Sequence, residues 1–309
     1  MTITVTADQV KELRERTGAG MMDCRKALVA THGDLDAAIE KLRMEGQAKA
    51  VKKAGRTAAD GTIAVAVGPD ALAMIELNCE TDFVAKGDAF QGFAVAAAKA
   101  ALEHRPATLE QLAAAQAGAQ TLEEIRKTMI AKLGENITLR RFQVVTSAGG
   151  PLAHYVHAGS RIGVIVALAT GDMELGRDIA MHVAAQRPQY LKPEDVPAAA
   201  QEAERKVIDA QVAAEQEQQK AAAEEAGKPY KPKPADIVAR MVDGKLRKFL
   251  GEITLLGQGF VKDPDQSVEK VLAARGGAVA QFARFEVGEG IEKSGGDFAA
   301  EVAAMVKPH

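Results

Sequence analysis

The chain has 309 residues, 47% of them hydrophobic and only 4% aromatic, with no Trp. That length exceeds one ordinary hydrophobic core, so two or three compact units are expected. A net charge of −3 and a pI of about 6.1 argue against broad binding to a phosphate backbone. The first residues, Met1 to Asp8, lack the basic start and apolar core of a signal peptide. The longest apolar run, around Ile162 to Ala169, is too short to span a bilayer. Cys24 and Cys79 alone make neither a disulfide framework nor a zinc site. Both sit in patterns that read as buried, which fits a reducing compartment, and the base expectation is a soluble cytoplasmic protein.

Residues 1–45 read as a three-helix unit. Thr6 and Gln9 have capping-box spacing, and the first helix runs through Val10 and Leu13 to a stop at Gly18. Met22 to Ala30 forms the second helix, closed by Gly33. Asp34 caps a third, with Leu35, Ala38, Ile39 and Leu42 on one face and Gly46 as its end. So small a bundle depends on tight packing through Leu28, Leu35 and Ile39. Residues 46–60, with Lys49, Lys52, Lys53 and Arg56 among alanines and glycines, read as a solvated basic linker holding at most one helical turn.

From Gly61 the period changes. Thr62 to Val67 and Ala71 to Leu77 are strands joined across Gly68-Pro69-Asp70. The second strand stops at a polar run, Asn78 to Asp82, where Thr81 is a helix N-cap candidate. Asp82 and Phe83 then fall in a first turn. Two readings are open at that corner: Phe83 packs on the core while Asp82 stabilises the helix start, or Phe83 projects toward a partner. Asp88, with Gln91 completing a capping box, starts an alanine-rich helix to Leu102. Leu122 to Leu133 is the next helix, broken by Gly134-Glu135-Asn136, and Ile137 to Val145 is a third strand. Residues 61–148 are thus a ββα-α-β module.

The module repeats over residues 149–290. Leu152 to His157 and Ile162 to Ala169 form a second hairpin, followed by a helix with Leu175, Ile179, His182 and Val183 facing in. The closing Arg284-Phe285-Glu286-Val287 echoes Arg141-Phe142-Gln143-Val144. The starts, Gly61 and Gly150, lie 89 residues apart and the ends 143 apart, so the second copy carries roughly 54 extra residues. They fall at about 195–250. A polar helix from Pro197 to Ala226 has a sparse stripe of Val207, Ile208 and Val212, and Lys228 to Pro234 is a proline-rich tip. Ile237, Val238, Met241, Val242, Leu246 and Leu250 mark the return, making an antiparallel hairpin like a coiled coil. Residues 291–309 hold a last helix with Phe298, Val302, Met305 and Val306 on one face, which either docks at home or enters a partner's groove. The fold class is α+β.

No nucleotide loop, dinucleotide fingerprint, H-E-x-x-H or G-x-S-x-G occurs. His182 on an apolar face reads as a core histidine, and His157, at a strand end, as more exposed. Glu76, Glu80 and Asp82 suggest a metal or acid/base cluster by composition, but no partner base accompanies them.

Three segments carry a resemblance. Leu13 to Leu28 (LRERTGAGMMDCRKAL), Glu76 to Lys86 (ELNCETDFVAK) and Arg284 to Ile291 (RFEVGEGI) are similar to signatures of the bacterial elongation factor Ts family, in the same order and across essentially the whole chain. The resemblance implies a UBA-like N-terminal domain, two related core subdomains, an inserted coiled-coil hairpin and a C-terminal module. It also implies guanine-nucleotide exchange on elongation factor Tu in protein biosynthesis, without covalent chemistry, cofactor, membrane or direct nucleic-acid contact. Thr81, Asp82, Phe83 and Val84 would be the segment that dislodges magnesium from the GTPase, with Phe83 as the wedge. Gly134 and His157 match further contacts to the nucleotide domain and third domain, and Lys26, Phe298 and Met305 match extra docking surfaces. The tip from Lys228 to Pro234 departs from the family in length and proline content. One-to-one and two-plus-two complexes, the latter through a homodimer, both stay open. The repeat adds an asymmetry: the second corner, Thr170-Gly171-Asp172, has no aromatic beside its acid. With the family match, that favours a projecting Phe83.

Overall fold

The computed structural model describes residues 5–292. They form two compact units. One comprises residues up to Thr146, Val156–Ile165 and the stretch from Phe285; the other comprises Ser147–Tyr155 and Val166–Arg284.

The first unit opens with α1 (Ala7–Thr17), whose capping box joins Thr6 and Gln9 and whose end is Gly18 at φ 66°. The positive φ is why glycine closes this helix without the Cβ clash any other residue would bring. Helix α2 (Met21–Ala30) follows, and then α3 (Leu35–Lys53), capped by Asp34. Val10, Leu13, Cys24, Ala27, Leu28 and Ala38 form the bundle's core, with Leu35, Ile39 and Leu42 packed around it.

Gly46 does not end the third helix. Helix α3 runs on to Lys53, so the basic stretch expected as a linker is helical for half its length. Glycine costs a helix interior about 1 kcal/mol relative to Ala, but packing overrides that here. A Cβ on Gly46 would sit 3.4 Å from the Ala131 side chain, and Ala50, one turn on, is buried in the neighbouring core. The small residues let two helices approach closely.

The chain continues through β1 (Asp60–Val67), β2 (Ala71–Cys79), α4 (Asp82–Ala85), α5 (Asp88–His104), α6 (Leu109–Ala114), a minimal hairpin of β3 (Gln116–Ala117) and β4 (Gln120–Thr121), α7 (Leu122–Leu133) and β5 (Thr138–Thr146). The antiparallel sheet has the order β1-β2-β5. Register runs from Asp60 opposite Cys79 to Val67 opposite Leu72. Central β2 is buried along its whole length, which explains its weak polar/apolar alternation. Alanines 94, 97, 98 and 101 bring α5 down onto β1 and β2 beside Phe90 and Phe93. Gln91 does not complete a capping box. Gly87 is the N-cap of α5, and the Gln91 amide donates instead to the Ala85 carbonyl at 2.6 Å, satisfying an acceptor at the end of α4.

The second unit is built on β6 (Leu152–Val156), β7 (Ile162–Thr170), α8 (Met173–Gln186), a 3₁₀ turn (Pro193–Asp195), α9 (Ala198–Glu225), α10 (Ala235–Ile253), β8 (Gly259–Phe260), β9 (Asp263–Ser267), α11 (Val268–Ala274) and β10 (Ala278–Glu286). Its sheet order, β10-β7-β6, again puts the second strand of the hairpin in the centre. His182 is fully buried: its Nδ1 accepts from the Val261 N–H at 3.1 Å, and Nε2 donates to Gln258 Oε1 at 3.0 Å. The helical hairpin α9/α10 closes over Ile208, Val212, Val242 and Leu246. Val207, expected in that stripe, is about half exposed.

Candidate functional site

Strand β2 ends at Cys79, and the chain turns sharply into the single-turn helix α4. Thr81 is its N-cap, accepting from the Val84 N–H at 3.4 Å. Ala85 is buried and Val84 packs against the core. The turn that buries Ala85 and lays Val84 against the core throws Phe83 outward, where it is 84% exposed, the highest value among the described large hydrophobics. Asp82 is also at the surface, its Oδ2 paired with Lys86 Nζ at 2.7 Å. The hydrogen bond from Lys86 holds the Asp82 carboxyl below the usual carboxylate range.

A four-residue helix cannot hold its own shape; side chains from elsewhere brace it. Glu135 Oε2 accepts from the backbone N–H groups of Glu80 and Thr81, both at 3.0 Å. Its Oε1 accepts from Thr81 Oγ1 at 2.5 Å. Glu80 reaches back: Oε1 accepts from the Asn136 N–H at 2.6 Å, and Oε2 pairs with Arg56 at 2.8 Å. Asn136 Nδ2 in turn donates to the carbonyls of Ala54 and Arg56. Beneath the corner, the Cys79 thiol donates to the Thr81 carbonyl at 3.1 Å. Burial and the nearby Glu135 and Asp60 charges push that thiol up to about 12, so it stays protonated and able to donate.

One register step deeper, Glu76 is wholly buried. Its Oε1 accepts from Asn78 Nδ2, Arg140 Nη1 and the Gly288 N–H, and its Oε2 from Arg141 Nε at 2.6 Å. The Arg141 guanidinium also lies over the Phe285 ring, 4.4 Å from its centroid. The three acids considered as a metal cluster are therefore committed separately: Glu76 to two arginines, Glu80 to Asn136 and Arg56, Asp82 to Lys86. Among the described residues, no group of three metal-ligating side chains comes together.

The remaining candidates are spread out. Gly134 is the C-cap of α7 at φ 77°, and its carbonyl accepts from Lys53 Nζ. Glu135 and Asn136 join that turn directly to the Phe83 corner. His157 is exposed in the turn after β6. The turn is fixed by the Ile63 N–H donating to the Ser160 carbonyl at 2.7 Å and by Arg161 pairing with Asp60 at 2.6 Å. The corner and this turn are thus mounted on one hairpin, β1 and β2. Lys26 is exposed on α2, in the helical bundle. Phe298 and Met305 lie outside the described residues. Sequence reasoning misses Glu135: a Gly-Glu-Asn run reads only as a helix stop, and its pairing with Thr81 spans 54 residues.

Fold and site together define an α+β scaffold that presents a braced, solvent-facing aromatic and acid, with no helix among the described residues long and apolar enough to cross a membrane. The chain belongs to the elongation factor Ts family, whose description, Elongation factor TS, matches residues 80–289. It is similar to elongation factor Ts of Methylococcus capsulatus, 52% identical over 309 residues covering 99% of both chains. It is also similar to that of Thioalkalivibrio sulfidiphilus, 50% identical with 99% of both covered. The protein of the same name from Pasteurella multocida is 50% identical over 98% of this chain and 99% of its own.

Proposed function

We propose that this chain is a guanine-nucleotide exchange factor for elongation factor Tu, without covalent chemistry of its own. It acts in the cytoplasm by displacing magnesium and wedging Phe83 into the nucleotide domain. The observation that carries this reading is the 84% exposure of Phe83 on a corner whose Glu80 and Thr81 N–H groups and Thr81 hydroxyl all donate to the Glu135 carboxylate. A large aromatic left in water costs free energy that an unliganded protein recovers only in a complex.

Magnitudes limit what the wedge can do. A Phe buries roughly 150–250 Å², worth about 4–6 kcal/mol at about 25 cal/mol per Å². A nucleotide held with nanomolar Kd is bound by about 12 kcal/mol. Phe83 therefore weakens the nucleotide site, and the rest comes from lost magnesium coordination and an interface that prefers the empty state. Linkage makes this reciprocal, so incoming GTP releases the factor.

Thr81 to Val84 act on the nucleotide domain in this reading. Gly134 and Lys26 add contacts there, as do Phe298 and Met305 of the tail, and His157 meets the third domain. The test is GDP release from elongation factor Tu. Wild-type chain accelerates it and Phe83→Ala loses most of the acceleration; equal stimulation by the two proteins would overturn the wedge.

A further inference from the structure

The corner that presents Phe83 is not self-supporting, and what supports it lies on a different element. We infer that Glu135 is a positioning residue for exchange: its carboxylate sets the aim of Phe83 without touching the partner. The inference rests on the exchange reading above.

Three observations converge on it. Glu135 uses both oxygens on the corner, Oε2 on two successive backbone N–H groups and Oε1 on the Thr81 hydroxyl. Because Thr81 Oγ1 donates its single proton to Glu135, its lone pairs are turned toward the Val84 N–H, which is the N-cap bond of α4. Glu135 thus orients the hydroxyl that starts the helix carrying Phe83. Second, the helix is one turn long and cannot propagate order from its own hydrogen bonds. Third, the clamp is reciprocal, since Glu80 Oε1 accepts from the backbone N–H of Asn136, the residue after Glu135. The two sides of the clamp cannot shear past one another without breaking charge-assisted bonds on both.

A carboxylate on a side chain of this length is the group the geometry calls for. Glu135→Asp would keep the charge but draw the oxygens back by one methylene, out of reach of the Glu80 and Thr81 N–H groups. Glu135→Gln can still accept from both N–H groups through its carbonyl oxygen and donate its amide to Thr81 Oγ1. The order of function expected is therefore wild type, then Glu135→Gln, with Glu135→Asp and Glu135→Ala well below.

The experiment measures GDP release from elongation factor Tu against factor concentration, alongside time-resolved fluorescence anisotropy of a Phe83→Trp reporter, which is unique because the chain has no Trp. Glu135→Ala and Glu135→Asp should lower the maximal release rate at least tenfold while the half-saturating concentration changes less than threefold. Glu135→Gln should stay within threefold of wild type. Adding Glu135→Ala to Phe83→Ala should slow release no further. In the Phe83→Trp background, Glu135→Asp should enlarge the fast local motion of the indole. The inference falls if Glu135→Asp exchanges like wild type, if the Glu135 and Phe83 losses multiply, or if indole motion is unchanged. Should Glu135→Ala fail to fold, the Asp and Gln variants decide the matter alone. If wild-type chain does not accelerate release at all, the exchange reading fails, while the anisotropy still tests the clamp.

Discussion

The Gly288 N–H donates to Glu76 Oε1 at 2.8 Å across 212 residues of sequence. The bond ties the stretch after β10 to the strand that leads into the Phe83 corner. Gly288 has φ 76°, and a Cβ there would collide with the Ala59 carbonyl oxygen, so only glycine brings this N–H to the carboxylate. Arg141 reinforces the tie, donating to the Glu286 carbonyl at 3.0 Å.

Removing the buried acid should be costly. Glu76→Ala leaves Arg140 and Arg141 without their common partner, and the expected loss is about 3 kcal/mol, the low end for a broken buried pair because both arginines reach solvent. Burial by itself would raise the Glu76 pKa, but the Gly288 N–H and the two arginines outweigh it and hold the carboxyl below its usual 4.5. With the folded value depressed, the unfolded chain binds more protons as pH falls. The contribution is present above about pH 4.5 and is lost below it. Urea midpoints of wild type and Glu76→Gln should therefore converge as pH drops from about 5 toward 3.

Phe83→Ala should leave the fold alone. The side chain is almost fully exposed, so its removal should change unfolding free energy by no more than about 0.5 kcal/mol. Thermal melts of the two proteins should superimpose. A large drop in midpoint would mean that the ring packs on its own domain.

Both cysteines should be silent toward thiol reagents in the native protein. Cys24 and Cys79 are free and buried, and the Cys79 thiol, pushed up to about 12, holds almost no thiolate at about pH 8. A chromogenic disulfide reagent should titrate no fast thiol in buffer and two after denaturation.

His182 makes the second unit sensitive to mild acid. Burial pushes its pKa below 6.5 against the opposing hydrogen bond with Gln258. Folding therefore favours the neutral ring, whose Nδ1 must stay free of a proton to accept from Val261. Its contribution is present above pH 6.5 and is lost as pH falls toward the folded value. The melting temperature should decline between about pH 7 and pH 5, and less steeply in His182→Asn.

Local chemistry is the legible part of this chain. Thr6 and Gln9 cap α1 as their spacing predicts, Leu122 to Leu133 has the bounds its apolar period sets, and His182 is a core histidine. Features decided by distant packing are not legible. Gly46 reads as a helix stop until Ala131 is known to lie against it. Gln91 reads as a capping residue until the Ala85 carbonyl needs a donor. The β8-β9 hairpin and the seven-residue α11 leave almost no period in the sequence. At the corner, exposure of Phe83 is one of two readings the residues themselves allow. The Glu135 brace is invisible there, because nothing local pairs it with Thr81.

The uninterrupted course of α3 bears on how this protein can be cut. Its first half carries Ala38 in the bundle and its second half carries Ala50 in the neighbouring core. A truncation at residue 45 would sever a rod rather than a tether. It would strip the backbone partners from a full turn of α3. A terminus placed after Lys53 would instead spare Arg56 and its grip on Glu80, but it would empty the seat of Ala50. The helical segment is common property of two cores, and neither can be excised with clean edges.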